Sequence, residues 1–389
     1  MKMKKWLTIL LAVLLACGAL PAGSFAEEQT LFQYEVQRDG TAKITGINDT
    51  TLETLEIPAE LDGRRVTRIG SRVFTKCKNL KSVVIQEGVV SVESLAFHCV
   101  SLESVSIPKS LVSVELQAFA LCPKLKTIEI SPDHPVLAVE NQALVNWKKH
   151  VLIVVLEHED TGTYTVPQGI REIGGFAFDS CLFSAILLPD GLKKIGNGAF
   201  RRCANLTEIV LPEGVTETGA QLFFNCENLV SVTIPKSLMQ AGTAFFGNAQ
   251  ALTDVRISPD HRVYEMNGPL LVAKRTREII SVLNNLPETY EIPEGIRIIG
   301  YMSFNGNDDL AELTVPEGVT TIRYDAFCDC GKLRVITLPA SMKKIEEGAF
   351  ESVKGGLLIK APAGSWAEKY AREKGYRFEA LPEDADGAE

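Results

Sequence analysis

Leu206-Thr-Glu-Ile-Val-Leu-Pro-Glu-Gly-Val-Thr-Glu-Thr-Gly-Ala-Gln-Leu-Phe-Phe-Asn-Cys226 carries the structural logic of this chain. Ile209 and Leu211 alternate with Glu208 and Val210, the period of a strand with one buried face. Pro212 has no N–H to give to a ladder, so the strand stops there. Pro212-Glu213-Gly214 then suits a turn, Val215 returns the chain to the core, and Phe223 fills the coil from the opposite side. Outward from this stretch the pattern repeats. A phenylalanine follows proline by the same interval in Pro108/Phe119, Pro167/Phe178, Pro189/Phe200, Pro212/Phe223, Pro235/Phe246, Pro293/Phe304, Pro316/Phe327 and Pro339/Phe350. Gln86/Phe97 keeps the spacing without the proline, and Pro58/Phe74 keeps the pair with extra residues inserted. One coil is too small to bury its apolar face, so such units must stack. The expected fold is a mainly β solenoid of stacked coils, with one parallel sheet at about 4.8 Å per coil, short helical turns and a C-terminal cap.

The motif Leu-x-x-Ile-x-Ile-Pro-x-Gly-Val-x-x-Ile-x-x-x-Ala-Phe-x-x-Cys resembles the BspA-type leucine-rich repeat of bacterial surface and secreted proteins. Its clearest copy is Pro189-Asp-Gly-Leu-Lys-Lys-Ile-Gly-Asn-Gly-Ala-Phe200-Arg-Arg-Cys203. The resemblance runs from about Leu52 to Leu381 and implies a scaffold with adhesion or host and polymer binding, without a shared site.

The segment 1–26 reads as a secretory signal peptide: Lys2, Lys4 and Lys5 precede an apolar run, and Ser24-Phe25-Ala26 offers a small-residue cleavage site. Leu14-Leu15-Ala16-Cys17 also resembles a lipobox, which would leave an acylated Cys17 as the one link to a membrane. The full chain has 40 basic and 49 acidic residues. Cleavage after Ala26 removes three lysines and no acid, for a net charge of −12. That balance disfavours nucleic acid and anionic membranes as partners. The expected location is extracellular or at the cell surface.

The period divides the chain. Residues 27–51 form an N-terminal cap, 52–130 a first repeat block, 167–257 a second and 293–356 a third. Residues 357–381 close the end, with Ser365-Trp-Ala-Glu368 as a helix-capping box, and 382–389 is an acidic tail. Two enlarged coils, 131–166 and 258–292, begin alike with Ile130-Ser-Pro-Asp-His134 and Ile257-Ser-Pro-Asp-His261 and carry apolar runs. Each is expected to add one or two strands, and insertions of this kind often carry binding.

Most candidates for chemistry recur in register. Cys77, Cys122, Cys181, Cys203, Cys226 and Cys330 each follow the repeat phenylalanine by three, whereas Cys99 and Cys328 are offset. They read as a column of buried thiols rather than a disulfide framework. Cys328-Asp-Cys330 lacks the second ligand pair of a zinc site, so no metal or cofactor is expected. Asp133-His134 and Asp260-His261 resemble catalytic pairs but occupy duplicated turns, and Glu157-His158-Glu159-Asp160 reads as a solvated hairpin tip. Outward strand positions are mostly small polar or acidic. Tyr301 and Tyr324 lie eight residues after their prolines and should stack one coil apart, while Trp147 and Tyr264 fall in the enlarged coils. The sequence therefore points to a non-enzymatic repeat scaffold for an extracellular protein or polymer. Carbohydrate binding through Trp147, Tyr264, Tyr301 and Tyr324 is the alternative, and a hydrolase sited on the enlarged coils is a distant third.

Overall fold

In the computed structural model, residues 31–156, 161–351, 353 and 356–382 are described. The segment 1–26, with Cys17, the tip 157–160 and nearly all of the acidic tail lie outside them. The chain winds into a solenoid whose coils each contribute a strand before the proline slot. In the ladder that runs from the end of the first enlarged coil through the second block these are Thr163–Thr165, Ala185–Leu187, Glu208–Val210, Ser231–Ile234 and Asp254–Ile257, paired in parallel. The expected single parallel sheet is corrected. After the proline turn each coil makes a second strand of only two residues, as at Glu172–Ile173, Lys194–Ile195 and Glu217–Thr218, and these stack into a second parallel ladder. Two residues are too few for alternation to be visible in the sequence. Between the two strands Gly214 takes a φ of 113°, and its N–H donates to Ser237 Oγ of the following coil at 2.9 Å. Tight turns rather than helices close each coil, and among the described residues Trp366–Lys374 is the one α-helix.

The phenylalanines form the spine of the core. Rings of consecutive coils lie 5.1 Å apart in Phe74/Phe97 and Phe97/Phe119, and 5.6 Å apart in Phe200/Phe223. At the N-terminus, Phe32–Val36 and Ala42–Ile47 form an antiparallel pair, and the second strand begins the short-strand ladder against Arg64–Ile69. The residues inserted between Pro58 and Phe74 make a small hairpin, Glu60–Leu61 against Arg64–Arg65. At the C-terminus Ser365 Oγ accepts the Glu368 N–H, Glu368 accepts the Gly364 N–H, and Gly375 ends the helix at a φ of 76°. Arg377–Leu381 then adds a last parallel strand.

The enlarged coils divide the core. Leu137–Glu140, Ala143–Asn146 and Val151–Val155 form an antiparallel meander whose last strand joins the short-strand ladder. Ala143–Asn146 and Val151–Val155 are buried throughout. Leu144, Val151, Ile153 and Val154 pack into the first-block core, and Ala143, Val145, Leu152 and Val155 into the second. The second enlargement repeats this: Leu271 and Ile280 face the second block, and Leu270, Val272, Ile279 and Val282 the third. A strand buried on both faces has no polar positions to alternate, which is why these runs read as continuously apolar.

Candidate functional site

The two Asp-His pairs are built into the coil joints. His261 is 1% exposed. Its Nδ1 accepts the N–H groups of Val263 and Tyr264 at 3.2 and 3.0 Å, so the ring proton sits on Nε2, which donates to Pro235 O at 3.1 Å. His134 repeats the arrangement with Val136, Leu137 and Pro108. Each ring thus ties an enlarged coil to the proline turn of the coil before it, and neither nitrogen is left to serve as a base. Burial holds the His261 pKa below the ordinary histidine value. Asp133 is held at about 2 by hydrogen bonds from Lys109 and Ser131.

The four aromatics do not share one face. Tyr264 is buried at 5% exposure, and its hydroxyl accepts the Ala241 N–H at 2.7 Å. The sequence assignment of Tyr264 as an accessible binding residue is therefore corrected: the meander turns its ring into the second-block core. Trp147 is half-buried against that core and lies beside Gly169 in a proline turn. Tyr301 and Tyr324 follow the short strands instead, and they stack with centroids 6.1 Å apart and an interplanar angle of 6°. Tyr324 is 45% exposed, but its ring is enclosed between Tyr301 and Gly348, where a Cβ would come within 2.6 Å of ring carbon Cε2. What it presents outward is edge and hydroxyl rather than an open face.

All cysteines among the described residues are free thiols. Cys203, Cys226 and Cys330 donate to the carbonyls of Phe178, Phe200 and Phe304, one coil back, at 3.1, 3.0 and 3.1 Å. Cys122 does the same to Phe97. Cys99, offset in sequence, joins the column by bonding Phe74 O at 3.0 Å. Cys77 and Cys181 stand at block starts, and Cys181 is half-buried. Burial pushes the Cys122 thiol up to about 12, and raises Cys99, Cys181, Cys203 and Cys330. Such thiols are poor nucleophiles.

Two features at the first joint were not legible in the sequence. Asp179 is a buried carboxylate gripped by both Nε and a terminal nitrogen of Arg202, and Arg201 lies between the rings of Phe176 and Phe224, 6.0 and 5.4 Å from their centroids. Beside them a cleft of 300 Å³ is lined by Phe119, Cys122, Val155, Asp179, Cys181 and Leu182. Asp179 is already paired, so the cleft offers shape and apolar surface rather than a reactive group. Among the described residues no three His, Cys, Asp or Glu side chains converge to hold a metal ion.

Two parallel strand ladders, a phenylalanine spine and a recurring turn cysteine, replaced by Ala249, Asn307 and Val353 in three coils, define a leucine-rich-repeat solenoid. The model for the BspA type leucine rich repeat region matches residues 47–150, 157–266 and 284–361, and the chain belongs to that family. Among solved structures, the pneumococcal vaccine antigen PcpA is similar at 16% identity over 85% of this chain and 68% of that one, with a TM-score of 0.48. A leucine rich cell surface protein from Faecalibacterium prausnitzii is similar at 21% identity over 90% and 98% of the two chains, with a TM-score of 0.34. For a leucine-rich repeat protein from Eubacterium ventriosum the values are 20% identity, 84%, 93% and 0.42. No curated protein matches the chain.

Proposed function

We propose that this protein is an exported, non-enzymatic scaffold that binds a protein or polymer partner outside the cell, in the manner of an adhesin. The observation that carries this reading is the use of both Asp-His motifs as joints: the two imidazoles that most resembled catalytic bases have both ring nitrogens occupied by backbone. What remains open is a long, regular surface of outward strand residues, the kind of extended face that repeat proteins use for recognition. Family membership supports a surface or secreted role. The test is retention of the mature protein on extracellular-matrix and cell-wall polymers, with hydrolysis of the same polymers followed in parallel. Retention without turnover supports the scaffold; turnover lost in His134→Ala or His261→Ala sinks it.

Carbohydrate recognition through Tyr301 and Tyr324 is the second reading, favoured by their stacking on adjoining coils with Tyr324 exposed and Tyr301 half-buried. A sugar packs best on an open ring face, and the enclosure of Tyr324 leaves mainly edges. Binding to a glycan array that disappears in Tyr301→Ala/Tyr324→Ala would establish it.

A further inference from the structure

Within the second block the long-strand ladder has one defect. Just before the proline slot, Val166, Leu211, Ile292, Val315 and Leu338 each donate an N–H to the following coil, at 3.0, 3.1, 3.0, 2.9 and 2.8 Å. Leu188 occupies the same place and makes no such bond. The pairing of Ala185–Leu187 with Glu208–Val210 shrinks to the single pair Ala185↔Glu208, whereas the steps on either side hold three and three. The sheet parts toward its proline end, opening a groove of 410 Å³ lined by Ile186, Leu187, Leu188 and Val210, among others. Leu187 and Val210 are 56% and 59% exposed, more than any other large hydrophobic among the described residues. On the neighbouring strands of this block the same outward place holds Thr165 and Thr233. Asp190, Glu208 and Glu213 rim the groove. Among the described residues none of the three is in an ion pair; Lys193 extends over Gly214 nearby.

We propose that this groove docks an extended segment of a partner protein that presents an apolar side chain next to lysine or arginine. The apolar group fills the gap between Leu187 and Val210, where water is held against hydrocarbon. A carbonyl of the segment accepts the unpaired Leu188 N–H, as a strand in the ladder otherwise would. Cationic neighbours meet the three rim carboxylates, which steers approach and excludes acidic sequences. A neutral glycan answers neither the aliphatic pair nor the charge. The inference rests on the scaffold reading and names the partner class for one place on its face.

The experiment follows the fluorescence anisotropy of a labelled nine-residue peptide of alternating lysine and leucine titrated with the mature protein. Leu187→Thr/Val210→Thr installs the residue that adjacent strands carry, so the coil retains its strand preference, and thermal melts confirm folding. A saturable complex is expected, weakened at least about tenfold (about 1.4 kcal/mol) by this variant and by Asp190→Asn/Glu208→Gln. A peptide with glutamate in place of lysine should not bind, and Val84→Thr, on an exposed first-block strand, should change nothing. The inference is overturned by failure of the lysine–leucine peptide to bind, by an equal loss in Val84→Thr, or by unchanged affinity in Leu187→Thr/Val210→Thr. It also falls if a cell-wall glycan displaces the peptide. Retention of wild type on matrix polymers is measured separately, so the groove can fail while the scaffold stands.

Discussion

Replacing His261 with alanine tests whether the Asp-His motif is a joint or a catalytic pair. The ring serves three backbone groups, the Pro235 carbonyl and the N–H groups of Val263 and Tyr264, in a place that is 1% exposed. Orphaning a buried donor or acceptor costs about 1–3 kcal/mol. Taking about 1 kcal/mol for each, because water can enter the vacated volume, gives a loss of about 3 kcal/mol. His134 makes the same bonds but is half-exposed, so His134→Ala should cost about 1 kcal/mol. Guanidinium titration followed by circular dichroism reads both, and a cooperative transition through the joint is the condition for comparing midpoints. The joint model is refuted if His261→Ala stays within about 0.5 kcal/mol of wild type, or if His134→Ala is the more damaging. A catalytic pair predicts the reverse pattern, unchanged stability with lost turnover. The pH dependence has a definite sign. Burial lowers the folded-state pKa of His261, so below the unfolded value the unfolded chain binds more protons. The contribution of the joint is complete above about pH 6.5 and is lost as pH falls below it, and that slope should vanish in His261→Ala.

Gly242→Ala should destabilise the second block by about 2 kcal/mol or more, because its Cβ would fall 2.1 Å from the carbonyl carbon of Gly219; an unshifted melting midpoint would contradict the close coil approach. Native protein should resist alkylation of Cys99, Cys122, Cys203, Cys226 and Cys330 at pH 8 and react at all of them in denaturant, read by intact mass. Rapid native labelling would refute the buried column. Mass analysis of the exported product should show cleavage after Ala26, and a lipid-modified Cys17 would replace release by anchorage.

The repeat was legible because its signals are local. Pro212 stops a strand for lack of an N–H, and Phe223 recurs at a fixed distance from it. The equivalence of His134 and His261 was visible from the same register, and so was the stacking of Tyr301 on Tyr324. The second ladder escaped because two residues hold no period, and Cys99 escaped because an offset of one residue in a turn still lets sulfur reach the carbonyl one coil back. Tyr264 was misread as accessible because nothing in Val263-Tyr264-Glu265 tells which face of a meander points into a core.

By itself the sequence determined the stacking unit, the blocks and the two interruptions, since a period expresses what each coil must bury against the next. Only the tertiary structure decided what the interruptions are and where the face is uneven. Burial of a meander on both sides depends on the blocks that flank it. The parting of the strands at Leu187 and Val210 depends on the loss of a hydrogen bond between coils, which no single coil encodes.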